Sequence, residues 1–213
     1  MIMKMIVINF KNYVSGERAF NLAKTVERDL SSAIICPDFM DIPKIVEKTS
    51  LRVFAQHVDL ETEKKATGFI GAENLKAAGA LGSLLNHSEH PLKFDLIAKT
   101  IDTAKKSGLK ILLCATSLAE VSRFIPLQPW AIAFEDKKLI GTGRSITTYH
   151  SRDIKKFVKL VEGKRIIPLC GAGITTSTDV EEAYSFGCQG VLISSAIANS
   201  PNPERLLRQL DKF

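Results

Sequence analysis

The amino-acid sequence predicts an α/β protein, a compact (β/α)8 barrel with short loops. Two observations carry that prediction. Short apolar runs without polar alternation recur eight times along the 213 residues, the pattern of strands buried on both faces. Each is followed by a stretch with apolar residues at helical spacing, and no linker or low-complexity segment divides the series, so residues 1–213 are expected to form one domain. Eight βα units favour a closed barrel over an open doubly wound sheet. At 213 residues such a barrel lies near the lower end of its size range, so loops and some helices must be short.

The first expected strand is 5–10 (MIVINF), and the helix after it spans 16–30, with Ser15 as the expected N-cap and Phe20, Leu22, Ala23, Val26 and Leu30 as its apolar stripe. The opening MIMKMIVINFKNY is apolar but short and lacks a small-residue cleavage site, so it reads as this strand and not as a signal peptide. The second unit pairs AIIC (33–36) with a helix at 41–48, and the third pairs RVFAQ (52–56) with one at 71–78. The fourth, GSLLN (82–86), leads to a helix at 93–107 that Gly108 ends, and the fifth, KILLC (110–114), to one at 117–124. WAIAF (130–134) precedes a helix at 151–161 closed by Gly163, and RIIPLC (165–170) precedes one at 177–186 closed by Gly187. GVLIS (190–194) and a helix at 203–212 complete the count.

Composition narrows the class. Hydrophobic residues at 45% and charged residues at 24% exclude a disordered, fibrous or disulfide-scaffold protein. No run approaches the roughly 18 apolar residues of a transmembrane helix, and a cytoplasmic location is expected. The net charge of +6 favours anionic partners, but the basic residues are dispersed and read as a solvated surface. Cys36, Cys114, Cys170 and Cys188 form no C-x-x-C pair, and three of them sit in apolar runs, so they read as buried, reduced, structural thiols.

Barrel sites are built at the C-terminal ends of the strands, which singles out the residues just after each one. Asn9 and Lys11 follow the first strand; Asn86, His87, Ser88 and Glu89 follow the fourth. Glu135 and the loop DKKLIGTG (136–143) follow the sixth, Gly171-Ala172-Gly173 the seventh, and Ser194-Ser195-Ala196 the eighth. An amine, an imidazole and a carboxylate thus converge on one rim beside three small-residue loops whose amides suit an anion, with helix N-termini behind the last two. His57, after the third strand, reads as a structural histidine.

Across nearly its whole length the chain resembles the triosephosphate isomerase family, specifically its short archaeal branch. The resemblance rests on VINFKNY, FAQHVD, GALGSLLNHSEH, LIGTG, LCGAGI and GVLISSA, in this order and spacing. It implies that Asn9 and Lys11 are the family's paired residues, that His87 is its electrophile, and that Glu135, six residues before Gly141, is its base. It further implies a phosphate site at Ile140, Gly141, Gly173, Ser194 and Ser195, a supporting role for Gln56, and Thr67 as the dimer-loop threonine. The implied fold is the TIM barrel. The implied reaction interconverts dihydroxyacetone phosphate and D-glyceraldehyde 3-phosphate through an enediol(ate), with no metal or organic cofactor, in a homodimer or a tetramer.

That reaction suits the residue types. A weak carbon acid needs a positioned base, made stronger where water is excluded. A neutral His87, expected at a short helix N-terminus, donates to the developing oxyanion, and Lys11 adds positive charge. The pairing is a known pattern for this chemistry. The chain departs from the family pattern in two places. Asp136 follows Glu135 where the family carries proline, which leaves that backbone freer, and His90-Pro91 replaces an arginine-bearing stretch. Another phosphate-binding barrel enzyme, a lyase or phosphoribosyl isomerase, is the alternative, but it would not need His87 in NHSE together with Glu135 before LIGTG. A non-catalytic basic protein that binds nucleic acid is a remoter one, lacking aromatic clusters at 7% aromatic residues.

Overall fold

The structure, a computed structural model, describes residues 4–60, 65–136, 138–139 and 145–213. Strand β1 (Met5–Asn9) pairs in parallel with β2 (Ile34–Cys36). The ladder continues through β3 (Arg52–Ala55), β4 (Gly82–Leu85), β5 (Lys110–Ala115), β6 (Ala131–Phe134), β7 (Ile167–Gly171) and β8 (Gly190–Ile193). β8 returns to β1 with Met5 opposite Gly190, which closes the barrel and leaves none of these strands with an open edge. The connections carry α1 (Glu17–Asp29), α2 (Ile42–Lys48), α3 (Ala72–Ala77), α4 (Phe94–Lys106), α5 (Leu118–Phe124), α6 (Ile146–Tyr149), α7 (Ser151–Val161), α8 (Ser177–Ser185), α9 (Ser195–Ala198) and α10 (Glu204–Leu210). The expected TIM barrel is therefore the observed one. Among the described residues no helix is long and apolar enough to cross a membrane.

Burial explains why the strands lack polar alternation. One face of each packs inside the barrel, where Met5, Val7, Ile34, Cys36, Phe54, Leu84, Leu112, Cys114, Ala131, Ala133, Leu169 and Leu192 form one cluster. The other face packs outward, with Ile8, Ile35, Leu85, Leu113 and Ile132 meeting helix residues such as Val26, Ile45, Ile101 and Phe157. At Gly82 an added Cβ would lie 2.4 Å from Phe54 Cε2, so only glycine leaves room for the Phe54 ring, which packs on Trp130 at 5.3 Å. All four cysteines are free and buried.

The period of two has a consequence at the upper rim. Two residues beyond Val7 stands Asn9; beyond Phe54, Gln56; beyond Leu84, Asn86; beyond Ala133, Glu135; beyond Leu192, Ser194. The inward rows of the core thus run out into polar residues at one end of the barrel.

The structure corrects one expectation about the helices. Gly16, not Ser15, caps α1, at φ 57°, a left-handed conformation in which glycine carries no Cβ penalty. Its amide donates to both carboxylate oxygens of Asp41, at 2.9 and 3.1 Å. The four-residue helices α6 and α9 have no counterpart in the sequence pattern, because one turn is too short for a period to register.

Candidate active site

The β1 end is held in an uncommon backbone conformation. Lys11 lies at φ 46°, a region that costs a non-glycine residue on the order of 1–3 kcal/mol and persists only where neighbours enforce it. Three hydrogen bonds enforce it here. Asn9 Oδ1 accepts from the Lys11 amide at 2.9 Å, while Gln56 Nε2 donates to the carbonyls of Lys11 and Cys36 at 2.9 and 3.1 Å. The Lys11 ammonium then meets Glu89 Oε1 at 2.7 Å.

At the β4 end, Asn86 (φ 58°) donates to the Cys114 carbonyl at 3.0 Å and accepts from the Leu92 amide at 2.9 Å. Between those braces His87 opens a tight turn, closed by the His90 amide on the His87 carbonyl at 2.7 Å. The Glu89 amide donates to His87 Nδ1 at 3.2 Å, so Nδ1 offers a lone pair and the ring proton falls to Nε2. A turn amide therefore sets this tautomer. The expected short helix at His87 is absent, since α4 begins only at Phe94. Nε2 faces Glu135 Oε1 at 3.7 Å.

Glu135 continues the inward row of β6, with its amide donating to the Ala115 carbonyl at 2.9 Å. The residue is 3% exposed, and Oε2 finds no hydrogen-bond partner among the described residues. A Cβ at Gly171 would come within 3.1 Å of Glu135 Cγ and Oε1, so this glycine makes the seat for the carboxyl. Burial pushes the Glu135 carboxyl above its ordinary range, while His87, the Cys114 thiol and Lys11 pull part of that back. Such a shift belongs to a carboxylate kept basic and dry.

Beside Glu135, Ala172 (φ 89°) and Gly173 (φ 66°) turn the chain out of β7. Asp179 Oδ2 gathers the amides of Thr175 and Thr176 at 2.9 and 2.8 Å, and Thr176 completes a capping box at the start of α8. Ser194 Oγ donates to the Asn9 carbonyl at 2.8 Å, joining β8 to β1 directly before α9. One cleft is lined by Asn9, Lys11, His87, Glu135, Gly173, Ser194 and Ser195.

A sequence profile of the triosephosphate isomerase family matches residues 4–210. The chain belongs to the triosephosphate isomerase family. It is 37% identical to a triosephosphate isomerase of Pyrobaculum calidifontis over 98% of this chain and 95% of that one. The triosephosphate isomerases of Thermoplasma volcanium and Methanocaldococcus jannaschii are 36% and 35% identical, over 97% and 98% of this chain and 99% of each relative. Triosephosphate isomerases are intramolecular aldose–ketose isomerases of glycolysis, and the chain is one of them.

Within this triosephosphate isomerase fold, most of the residues singled out from the sequence come together around the cleft. Ile140 and Gly141 lie outside the described residues, and Thr67 stands exposed on the loop after β3. Sequence reasoning did not find the Lys11–Glu89 ion pair, the Gly171 seat or the Asp179 anchor. The spacing of Thr176 and Asp179 before an apolar helix is the one local signal available for the last of these. At Asp136, expected to leave the backbone freer, the structure shows two local hydrogen bonds. Asp136 Oδ1 accepts from the Lys138 amide at 2.8 Å, and its carbonyl accepts from the Leu139 amide at 2.9 Å.

His57, expected to be structural, lies beside the cleft residues Lys11, His87 and Glu89. Its ring stacks on His90 at 4.0 Å, with Nε2 3.2 Å from Asp59 Oδ1. Burial and then the facing His90 ring lower its pKa from the ordinary 6.5, against the pull of Asp59. The unfolded chain therefore takes up this proton before the folded protein does. The associated stability is complete above pH 6.5 and is lost as the pH falls through that value toward the lowered one. Denaturant unfolding across this window is expected to show a shallower acid-side loss in His57→Asn than in the wild type. Equal slopes would remove His57 as the cause.

Proposed function

We propose that Glu135 is the base that moves a proton between the adjacent carbons of a triose phosphate, with His87 and Lys11 stabilising the enediol(ate). Support comes chiefly from the 3.7 Å approach of Glu135 Oε1 to His87 Nε2 at the edge of one cleft. A base and a hydrogen-bond donor that close to each other bracket a group whose carbon loses a proton while its oxygen gains charge. The burial of Glu135, with no hydrogen-bond partner for Oε2 among the described residues, keeps the carboxylate poorly solvated and so more basic. His87 presents its Nε2 proton to the oxygen, and the Lys11 ammonium, steadied by Glu89, adds positive charge beside it. Asn9 orders the Lys11 backbone. The phosphate dianion is held by Gly173, Ser194 and Ser195, together with Ile140 and Gly141, so that remote binding energy serves orientation at the reacting carbons. Neither proton transfer calls for a metal or an organic cofactor.

A homodimer, with a tetramer as the larger assembly, and a cytoplasmic location belong to the same reading. Asp59 and Ile70 exchange hydrogen bonds of 2.9 and 2.8 Å, and near them Thr67 and Phe69 stand exposed, where a second copy of the chain would meet them.

A coupled isomerase assay on the purified protein, run in deuterium oxide, tests the route. Turnover in both directions is expected, with solvent deuterium entering the carbon that receives the proton. Turnover with no solvent label at that carbon would point to direct hydride transfer and defeat the enediol(ate) assignment.

A further inference from the structure

We propose that His150 is a positioning residue for Glu135, acting through its contact with Asp136. The inference rests on the reading of Glu135 as the base and adds a residue from a different part of the chain. On its N-terminal side Glu135 is tied to the barrel by its amide on the Ala115 carbonyl. On its C-terminal side the next residue, Asp136, places Oδ2 2.8 Å from His150 Nε2, a close polar contact between the two side chains.

His150 is a firm anchor because it stands at the junction of α6 and α7. Its amide donates to the Ile146 carbonyl at 2.8 Å, and its carbonyl accepts from Asp153 and Ile154 at 2.9 and 3.0 Å. The Ile146 amide in turn reaches the Ala172 carbonyl at 3.2 Å, which connects this junction to the end of β7. The ring is faced by Asp136 on one nitrogen and by Asp153 on the other, with Nδ1 3.6 Å from Asp153 Oδ2; Lys156 lies 3.6 Å from the other oxygen of Asp153.

Adjacent Cα atoms are about 3.8 Å apart across a trans peptide, so a contact that steadies Asp136 limits how far the neighbouring backbone that carries the Glu135 carboxylate can shift. Ångström-scale misplacement of a catalytic group costs on the order of 10²-fold in rate. A partial loosening is expected to cost less than that and to appear in kcat, because the phosphate cradle is built elsewhere.

The test compares steady-state kinetics and thermal unfolding of wild type, His150→Ala, His150→Gln, Asp136→Ala, the double variant His150→Ala/Asp136→Ala, and Glu135→Gln. His150→Ala is expected to lower kcat by about tenfold with KM within about twofold. His150→Gln, whose amide also donates, should recover most of that loss, and the double variant should be no slower than Asp136→Ala alone. A kcat for His150→Ala within twofold of wild type, a glutamine variant no better than alanine, or strictly additive losses would each overturn the proposal. So would an activity loss that only follows a lowered unfolding temperature. An inactive Glu135→Gln beside a normal His150→Ala removes the positioning role alone; an active Glu135→Gln removes the base assignment beneath it.

Discussion

Glu135→Gln is expected to lower kcat by about 10²- to 10⁴-fold, the range for losing a general base, while a phosphate-bearing analogue binds within a few-fold of the wild type. Glutamine keeps the shape that packs on Gly171, so the cleft should persist. The same substitution should stabilise the unliganded fold. The Glu135 carboxyl is held above its ordinary range by burial, so between the ordinary and the raised value the native state binds more protons than the unfolded chain. Stability of the wild type therefore falls as pH rises through that window, and above it the buried charge stays fully destabilising. Thermal unfolding of the two proteins should diverge in favour of the variant as the pH rises from the acid side toward neutrality. A variant retaining most of its turnover would dismiss Glu135 as the base, and one less stable than the wild type at neutral pH would show that its charge is better solvated than its burial implies.

Lys11→Met is expected to lower kcat/KM by roughly two to three orders of magnitude, the range for removing one group aimed at a developing oxyanion. Three effects act in the same direction. The ammonium no longer attracts the dianionic substrate, it no longer faces the developing oxyanion, and Glu89 is left as an unopposed negative charge beside His87. Lys11 also helps hold the Glu135 carboxyl down, so its loss should carry the acid limb of the pH–rate profile upward. Added salt should slow the wild type at low substrate and leave the variant nearly unaffected, because the steering charge has gone. Kinetics within tenfold of the wild type, with an unchanged salt response, would remove Lys11 from this role.

Much of this site is legible in the sequence. The β-strand period carries buried rows into Asn9, Glu135 and Ser194, and glycines and serines collect where an anion is to be held. His90 and Asp136 illustrate the opposite case. Each is conspicuous in the sequence only as an unexpected residue, and each proves to have a partner, His57 stacked at 4.0 Å and His150 at 2.8 Å. Neither partnership has a local signature, because rings and carboxylates meet only after separate βα units are brought side by side.

What the sequence determined by itself is therefore the barrel and the rim on which chemistry is placed. Period and turn signals are properties of neighbouring residues, and eight repetitions leave few other ways to bury both faces of every strand. Tertiary structure decided the state of each group on that rim. Lys11 is held in its left-handed conformation by Gln56, 45 positions along the chain, and its ammonium is placed by Glu89, 78 positions away. The basicity of Glu135 comes from desolvation by its packed surroundings, including the Gly171 seat. Desolvation and long-range hydrogen bonds arise only when the barrel closes, and they set protonation, tautomer and strain, which residue identity alone leaves open.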